Sequence, residues 1–113
     1  MSESVEVLER VMQTVQLRAS EPAEGSYTSK LLRGGVPRIG DKIIEEAAEV
    51  VEAASEEGAA GRAHLVHEIG DLLFHTMVMM AHRGIGWTDI AGELARREGI
   101  SGLEEKRRRG EAS

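Results

Sequence analysis

The sequence contains no cysteine and only one residue each of tryptophan, tyrosine and phenylalanine. The lack of cysteine excludes disulfide frameworks, thiolate zinc sites and cysteine nucleophiles, and it favours a cytoplasmic location. With so few aromatic residues, the chain offers no platform on which nucleic-acid bases could stack. The formal net charge of −6 also argues against a general nucleic-acid binder. Nucleic acid is therefore not an expected partner.

Long hydrophobic runs are absent as well. The most apolar stretch, residues 72–81, is shorter than the roughly 20 residues that a membrane-spanning helix needs. The first residues carry acids where a signal peptide needs positive charge, so neither a membrane nor export is expected. The 113 residues suffice for one hydrophobic core. We expect a single domain over residues 1–113, with a basic tail from about residue 106.

Apolar residues recur every three or four positions along nearly the whole chain, which predicts an all-α fold, a bundle of about four to five helices. The first helix should end before Pro22. Residues 19–40 contain several glycines and prolines, so they are expected to form a long connection in which only residues 27–33 are helical. A connection of that length is often functional.

The second helix is predicted from an N-cap at Asp41 to a stop at Gly58, and the third between Gly61 and Gly84. From residue 64 to residue 82 the third helix is apolar on most of its circumference, so it must be covered on most sides. We therefore expect a homodimer that completes the core.

Two shorter helices are predicted near the C-terminus. Thr88 could cap a fourth helix that runs through Glu98. Ser101 and Glu104 have the spacing of a capping box for a short fifth helix.

The negative charge is concentrated in one segment, residues 41–57, whose seven acids and one lysine account for the whole net charge. Glu45, Glu46 and Glu49 fall on one edge of the predicted second helix. A solvent-exposed acidic face would explain this arrangement, because like charges three or four residues apart cost only about 0.2–0.5 kcal/mol per pair.

The third helix carries acids in a less ordinary position. Glu68 and Asp71 lie with His64, His75 and His82 on one polar stripe of an otherwise apolar helix. Buried carboxylates are costly unless they are paired or bind a cation. Oxygen ligands favour Mg²⁺, with Mn²⁺ as an alternative, and Mg²⁺ commonly also binds substrate phosphates. The histidines could be ligands, bases or structural partners of the carboxylates.

The acids also form a motif. EEAAE at 45–49, followed 19 positions after its last residue by EIGD at 68–71, resembles the EExxE and ExxD signature of the all-α, MazG-like nucleotide pyrophosphohydrolases. More narrowly, SYTSKLL at 26–32 and DLLFH at 71–75 look like the phosphoribosyl-ATP pyrophosphohydrolase family. The similarity extends from residue 5 to about residue 106.

This resemblance implies a MazG-like fold and Mg²⁺-dependent hydrolysis of phosphoribosyl-ATP to phosphoribosyl-AMP and pyrophosphate, the second step of histidine biosynthesis. By matching positions, Glu46, Glu49, Glu68 and Asp71 would be the metal ligands. Glu45 would act in catalysis, either by assisting a second ion or by positioning the attacking water.

Candidate substrate-binding residues lie mostly in the predicted connection. Tyr27, Thr28 and Lys30 belong to the family-like segment, and Lys30 suits a phosphate as a point charge. Arg33 and Lys42 are candidates for the same role. Packing and capping at the start of a helix would explain Tyr27 and Thr28 nearly as well.

The sequence departs from the family pattern in two ways, and two alternative functions stay open. Ile44 stands where the family commonly has glycine, and the chain ends at Ser113 without the cyclohydrolase that is fused to some relatives, which implies a single-function polypeptide. A house-cleaning MazG-like enzyme that hydrolyses ordinary or damaged nucleoside triphosphates is the first alternative, and the segment 26–32 argues against it. The second is a non-enzymatic helical assembly module, for which buried acids are poorly suited.

Overall fold

In the computed structural model, residues 3–100 and 102–110 are described, and over these ranges the chain forms five α-helices and no strand. The helices are α1 Glu3–Ser20, α2 Tyr27–Ala54, α3 Gly58–His82, α4 Trp87–Arg97 and α5 Gly102–Arg108. The all-α prediction is confirmed. Within the described ranges, no helix combines the length and the apolar character needed to cross a membrane.

The second helix differs most from its prediction. It begins at Tyr27, so the connection after α1 covers only residues 21–26, and the predicted long connection over residues 19–40 is wrong. Asp41 lies inside α2 and is not its N-cap. The short helix predicted at 27–33 is confirmed, because it forms the first part of α2.

A kink at Gly35 allows α2 to continue through this glycine- and proline-containing stretch. Gly35 has φ 69° and ψ −162°, a conformation that is open almost only to glycine. Pro37 follows in the first turn of the second segment, where its missing N–H costs little. Sequence signals for a loop thus mark a single break between two helical segments.

The remaining boundaries lie near their predictions. The first helix ends before Pro22, as predicted, whereas α3 begins at Gly58 instead of after Gly61. The N-cap of α4 is Gly86 and not Thr88, because the Asp89 carboxylate accepts a hydrogen bond from the Gly86 N–H at 2.9 Å. The predicted capping residue Ser101 lies outside the described residues.

The core lies between α1, α2 and α3. α2 and α3 form a helical hairpin with the most extensive contact, and α1 packs against both. Val15, Leu31, Ile39 and Val78 form the centre of this core and are each at most 1% exposed. Leu31 precedes the kink and Ile39 follows it, so both segments of α2 are anchored to the same core. Full burial of such a side chain stabilises the fold by about 1.5–3 kcal/mol.

A second cluster attaches α4. Met12, Met77 and Met80 are buried together, and Trp87 packs against them. The Trp87 indole N–H donates to the Leu8 carbonyl at 3.3 Å. These contacts fix the beginning of α4 on α1 and α3 and leave the facing edges of α2 and α3 to form the candidate site.

Candidate metal centre

Three glutamates meet where α2 packs against α3. Glu46 and Glu49 lie one helical turn apart on α2, and Glu68 comes from α3. Each offers a carboxylate oxygen that lies within 4.8 Å of the other two. Glu46 and Glu68 are each only 7% exposed, so this cluster is not a solvated acidic face. The helical hairpin therefore brings together three of the four acids that the sequence predicts as metal ligands.

The close approach of these three carboxyl groups shifts their pKa values. Burial, together with hydrogen bonds to Glu68 and Glu49, raises the pKa of Glu46 to about 7. The hydrogen bond between Glu49 and Glu68 raises the pKa of Glu49 and lowers that of Glu68. Without a cation, the glutamates can coexist only by sharing protons.

Among the residues that the structure describes, Glu46 Oε2 and Glu68 Oε2 are buried without a hydrogen-bond partner. An unsatisfied buried oxygen of this kind costs free energy that a bound cation would recover. The donor set consists of hard carboxylate oxygens, which fits Mg²⁺ or Mn²⁺.

The fourth predicted ligand, Asp71, belongs to a second trio on α3. His67, Glu68 and Asp71 each offer a ligand atom within 4.8 Å of the other two. His67 Nε2 lies 3.2 Å from Asp71 Oδ2. Glu68 is common to both trios, and Asp71 acts on Glu46 through its charge. We refer to Glu46, Glu49, Glu68 and Asp71 as the acid cluster.

Sequence reasoning missed His67, although it considered three other histidines of the same helix. The signal that could have identified it is its spacing of four residues from Asp71, which places both side chains on one face of α3.

Two histidines of the predicted polar stripe, His64 and His82, lie beside other residues of the fold. His64 Nδ1 lies 3.0 Å from Glu56 Oε2, and that hydrogen bond raises the pKa of His64. Its Nε2 lies 3.3 Å from Glu68 Oε1, so it orients that ligand candidate. His82, near the end of α3, lies beside the kink at Gly35.

The third, His75, connects the acid cluster to the start of α2. Its Nδ1 donates to the Asp71 carbonyl at 2.9 Å, so Nε2 of the neutral ring is left as an acceptor. The Tyr27 hydroxyl lies 3.0 Å from this Nε2 and donates to it. His75 is 6% exposed, and its Nδ1 lies 3.9 Å from Glu46 Oε1. Tyr27 is thereby held beside the acid cluster.

A basic cavity adjoins this tyrosine. It measures about 230 Å³ and is lined by Glu24, Gly25, Ser26, Tyr27, Lys30 and Arg33. Three predicted substrate-binding residues, Tyr27, Lys30 and Arg33, therefore share one cavity. It lies at the N-terminus of α2, where Ser26 caps the helix by accepting a hydrogen bond from the Ser29 N–H at 3.1 Å.

The structure does not place the other candidates in that cavity. Thr28 is half-buried in the first turn of α2 and is absent from the lining. Lys42 Nζ lies 3.7 Å from Glu45 Oε2 in an ion pair whose side chains are 38% and 55% exposed. Such an exposed pair contributes little stability. Glu45, the predicted catalytic residue, lies next to the acid cluster but in neither trio.

Comparison with known proteins identifies the family. The sequence profile of phosphoribosyl-ATP pyrophosphohydrolase matches residues 8–98. A phosphoribosyl-ATP pyrophosphatase of Rhodopirellula baltica is 57% identical over 106 residues, which cover 94% of this chain and 88% of the relative. The proteins of the same name from Ralstonia pickettii and Neisseria meningitidis serogroup C are 44% and 42% identical, over 94% of this chain and 90% and 96% of their own lengths. The chain therefore belongs to the phosphoribosyl-ATP pyrophosphohydrolase family, which confirms the predicted family and a hydrolase function.

Proposed function

We propose that the protein is a cytoplasmic enzyme that uses divalent metal ions, held by the acid cluster, to hydrolyse phosphoribosyl-ATP to phosphoribosyl-AMP and pyrophosphate. This reaction is the second step of histidine biosynthesis, and the family match and the names of the relatives support it. The observation that carries the metal site is the burial of Glu46 and Glu68, each with an oxygen that lacks a partner in the described part of the chain.

The carboxylate oxygens of the acid cluster suit Mg²⁺, with Mn²⁺ as an alternative. Glu46, Glu49, Glu68 and Asp71 are the proposed ligands. Bound metal would acidify a water molecule and offset the negative charge on the pyrophosphate leaving group. The half-exposed Glu45 lies at the edge of the cluster, where its carboxylate can orient the attacking water or assist a second ion.

The basic cavity is the proposed place for substrate phosphates. Lys30 offers a point charge and Arg33 a planar fork of donors, which suit phosphate in different ways. The partial positive charge at the N-terminus of α2 acts in the same direction. Tyr27 joins this cavity to the acid cluster through its hydrogen bond to His75. Thr28 and Lys42, which do not line this cavity, are the other candidates for substrate contact.

A homodimer is the proposed assembly. Large apolar side chains on both helices of the hairpin are solvent-exposed in the single chain, at 72% and 73% for Ile44 and Val51 on α2 and 58% for Val66 on α3. A second copy of the chain would cover such a surface. Sedimentation equilibrium should give twice the mass of one chain, and replacement of Ile44 and Val51 by Glu should give the monomer. A wild-type monomer at micromolar concentration would contradict the proposal.

The reaction is tested by measuring pyrophosphate release from phosphoribosyl-ATP, ATP and dCTP with the purified protein, in Mg²⁺ and in chelator. We expect release from phosphoribosyl-ATP to be fastest and to require the metal. Comparable rates on ATP and dCTP would instead favour a house-cleaning nucleoside triphosphate pyrophosphohydrolase. Undiminished release in chelator would refute the role of the acid cluster.

A further inference from the structure

The hydroxyl proton of Tyr27 is already used within the fold. His75 Nδ1 lies 2.9 Å from the Asp71 carbonyl oxygen, which can only accept, so this nitrogen carries the proton of the neutral ring. His75 Nε2 is therefore an acceptor, and the Tyr27 hydroxyl, 3.0 Å away, donates to it. The phenolic oxygen keeps only its lone pairs for further contacts. Towards a bound molecule, it can accept a hydrogen bond but cannot donate one.

The basic cavity that Tyr27 lines combines positive charge with acceptor groups. Lys30 and Arg33 supply the charge, which suits the oxygens of a phosphate. Glu24 also lines the cavity, and its carboxylate would repel a phosphate but can accept a hydrogen bond from a hydroxyl. The volume of about 230 Å³ exceeds that of a single phosphate group. These walls therefore suit a phosphate whose attached group carries hydrogen-bond donors.

We propose that Tyr27 accepts a hydrogen bond from a ribose hydroxyl of the substrate, and that His75 is the positioning residue that fixes this role. The inference rests on the proposed function, because it takes phosphoribosyl-ATP as the substrate. Both the triphosphate and the single phosphate of this molecule are attached to a ribose, and ionised phosphate offers no donor. The hydroxyls of that ribose are thus the donors nearest to a phosphate held by Lys30 and Arg33. Tyr27 would thereby select ribose over deoxyribose.

A structural link between α2 and α3 would also place the Tyr27 hydroxyl on His75. However, Tyr27 is 47% exposed whereas His75 is 6% exposed, so the outer partner of this hydrogen bond stays accessible from the cavity side. The two explanations differ in selectivity. Loss of a structural link would slow all substrates equally, whereas loss of a substrate acceptor would slow only substrates that carry the hydroxyl.

The selectivity is measured with four analogues of phosphoribosyl-ATP, each lacking the 2′ or the 3′ hydroxyl of either the nucleoside ribose or the phosphoribosyl group. We expect the wild-type protein to have a kcat/KM about fivefold higher for phosphoribosyl-ATP than for at least one analogue, the effect of one hydrogen bond. The analogue that responds identifies the ribose. Tyr27→Phe should abolish this preference, because it removes only the hydroxyl.

His75→Asn tests the positioning role. Asparagine keeps an N–H donor for the Asp71 carbonyl but is too short to accept from Tyr27. This variant should lose the preference, as Tyr27→Phe does, and both should retain wild-type helix content by circular dichroism. Lys30→Met is the control. It removes a proposed phosphate contact, so it should lower kcat/KM for all five substrates by the same factor and keep the preference.

The possible outcomes separate this inference from the proposed reaction. A wild-type protein without the preference, a preference that survives in Tyr27→Phe, or its loss in Lys30→Met would each overturn the inference and leave the reaction intact. A preference that survives in His75→Asn would overturn the positioning role of His75. A wild-type protein that releases no pyrophosphate from phosphoribosyl-ATP would overturn both the inference and the proposed function.

Discussion

Replacement of Glu46 by Gln should make the metal-free protein more stable at pH 8. Glu46 is 7% exposed, and its Oε2 is one of two buried oxygens without a hydrogen-bond partner in the described residues. Glutamine has nearly the same shape, carries no charge, and offers an amide N–H₂ that can donate to the neighbouring Glu68 carboxylate. The substitution therefore removes repulsion within the acid cluster without opening a cavity.

The magnitude follows from the cost of a buried group that is not hydrogen-bonded. An unsatisfied buried acceptor costs about 1–3 kcal/mol, so Glu46→Gln should raise the free energy of unfolding by about that amount. Mg²⁺ should reverse this advantage in part. At 100 times its Kd, a ligand that binds only the folded protein stabilises it by about 2.7 kcal/mol. Wild type should gain this stabilisation, whereas the variant, which lacks one proposed ligand, should gain much less.

The Glu46 carboxyl group also makes the free energy of unfolding depend on pH. The pKa of Glu46 is raised from 4.5 to about 7 in the folded protein. Between these values the folded state holds a proton that the unfolded state has lost, so the free energy of unfolding decreases as pH rises from 4.5 through 7. Glu46→Gln removes this contribution. The stability advantage of the variant should therefore be small below pH 4.5 and fully developed above pH 7.

Urea unfolding, followed by circular dichroism at pH 4, 6 and 8 in chelator and in Mg²⁺, measures these effects. Glu52→Gln is the matched control, because Glu52 is an exposed acid on the same helix, where a surface substitution changes stability by no more than about 0.5 kcal/mol. A metal-free Glu46→Gln protein that is less stable than wild type at pH 8 would refute the reasoning.

Three further predictions concern other contacts of the fold. Tyr27→Phe removes the hydroxyl that donates a hydrogen bond to buried His75, so it should lower the free energy of unfolding, measured by urea unfolding, by about 1 kcal/mol. An unchanged value would show that this bond contributes no stability. Gly35→Ala, at φ 69°, should cost about 1–3 kcal/mol, whereas Gly40→Ala, where a Cβ has open space inside α2, should stabilise by about 0.5–1 kcal/mol; equal effects would contradict the assigned kink. Hydrogen bonds from two arginines of α4 lower the pKa of Glu93 to about 2, so its stabilising contribution is present above pH 4.5 and is lost as pH falls towards 2. A carboxyl NMR titration of Glu93 with an ordinary midpoint would disprove this pairing.

The fold was predictable where hydrophobic periodicity and helix breakers agree. The first and third helices follow from their apolar spacing, and α1 ends before Pro22 as the sequence predicts. The glycines and the proline between residues 34 and 40 were misleading, because Gly40 lies inside α2 and only Gly35 among them has a non-helical conformation with positive φ. Leu31 and Ile39, on either side of the kink, are buried in one core, which holds both segments of α2 against the other helices. Such packing between distant helices cannot be read from local sequence.

The candidate site was predictable as far as its residues follow helical spacing. Glu46 and Glu49 lie on one face of α2, so their proximity follows from the sequence. The pairing of Tyr27 with His75 joins residues 48 positions apart and depends on how α2 packs on α3. The orphaned oxygen of Glu68 likewise appears only once the hairpin has formed. The sequence therefore predicts the candidate ligands and the cost of burying those on α3, but not which of their oxygen atoms lack a partner in the described part of the chain.

Pyrophosphate release from phosphoribosyl-ATP by Glu49→Gln and Asp71→Asn, compared with wild type and Glu52→Gln in saturating Mg²⁺, tests the role of the acid cluster most directly. We expect both cluster variants to lose Mg²⁺-dependent turnover while they retain wild-type helix content by circular dichroism, and we expect Glu52→Gln to remain active. A fully active Asp71→Asn protein would contradict the proposal that the acid cluster holds the metal.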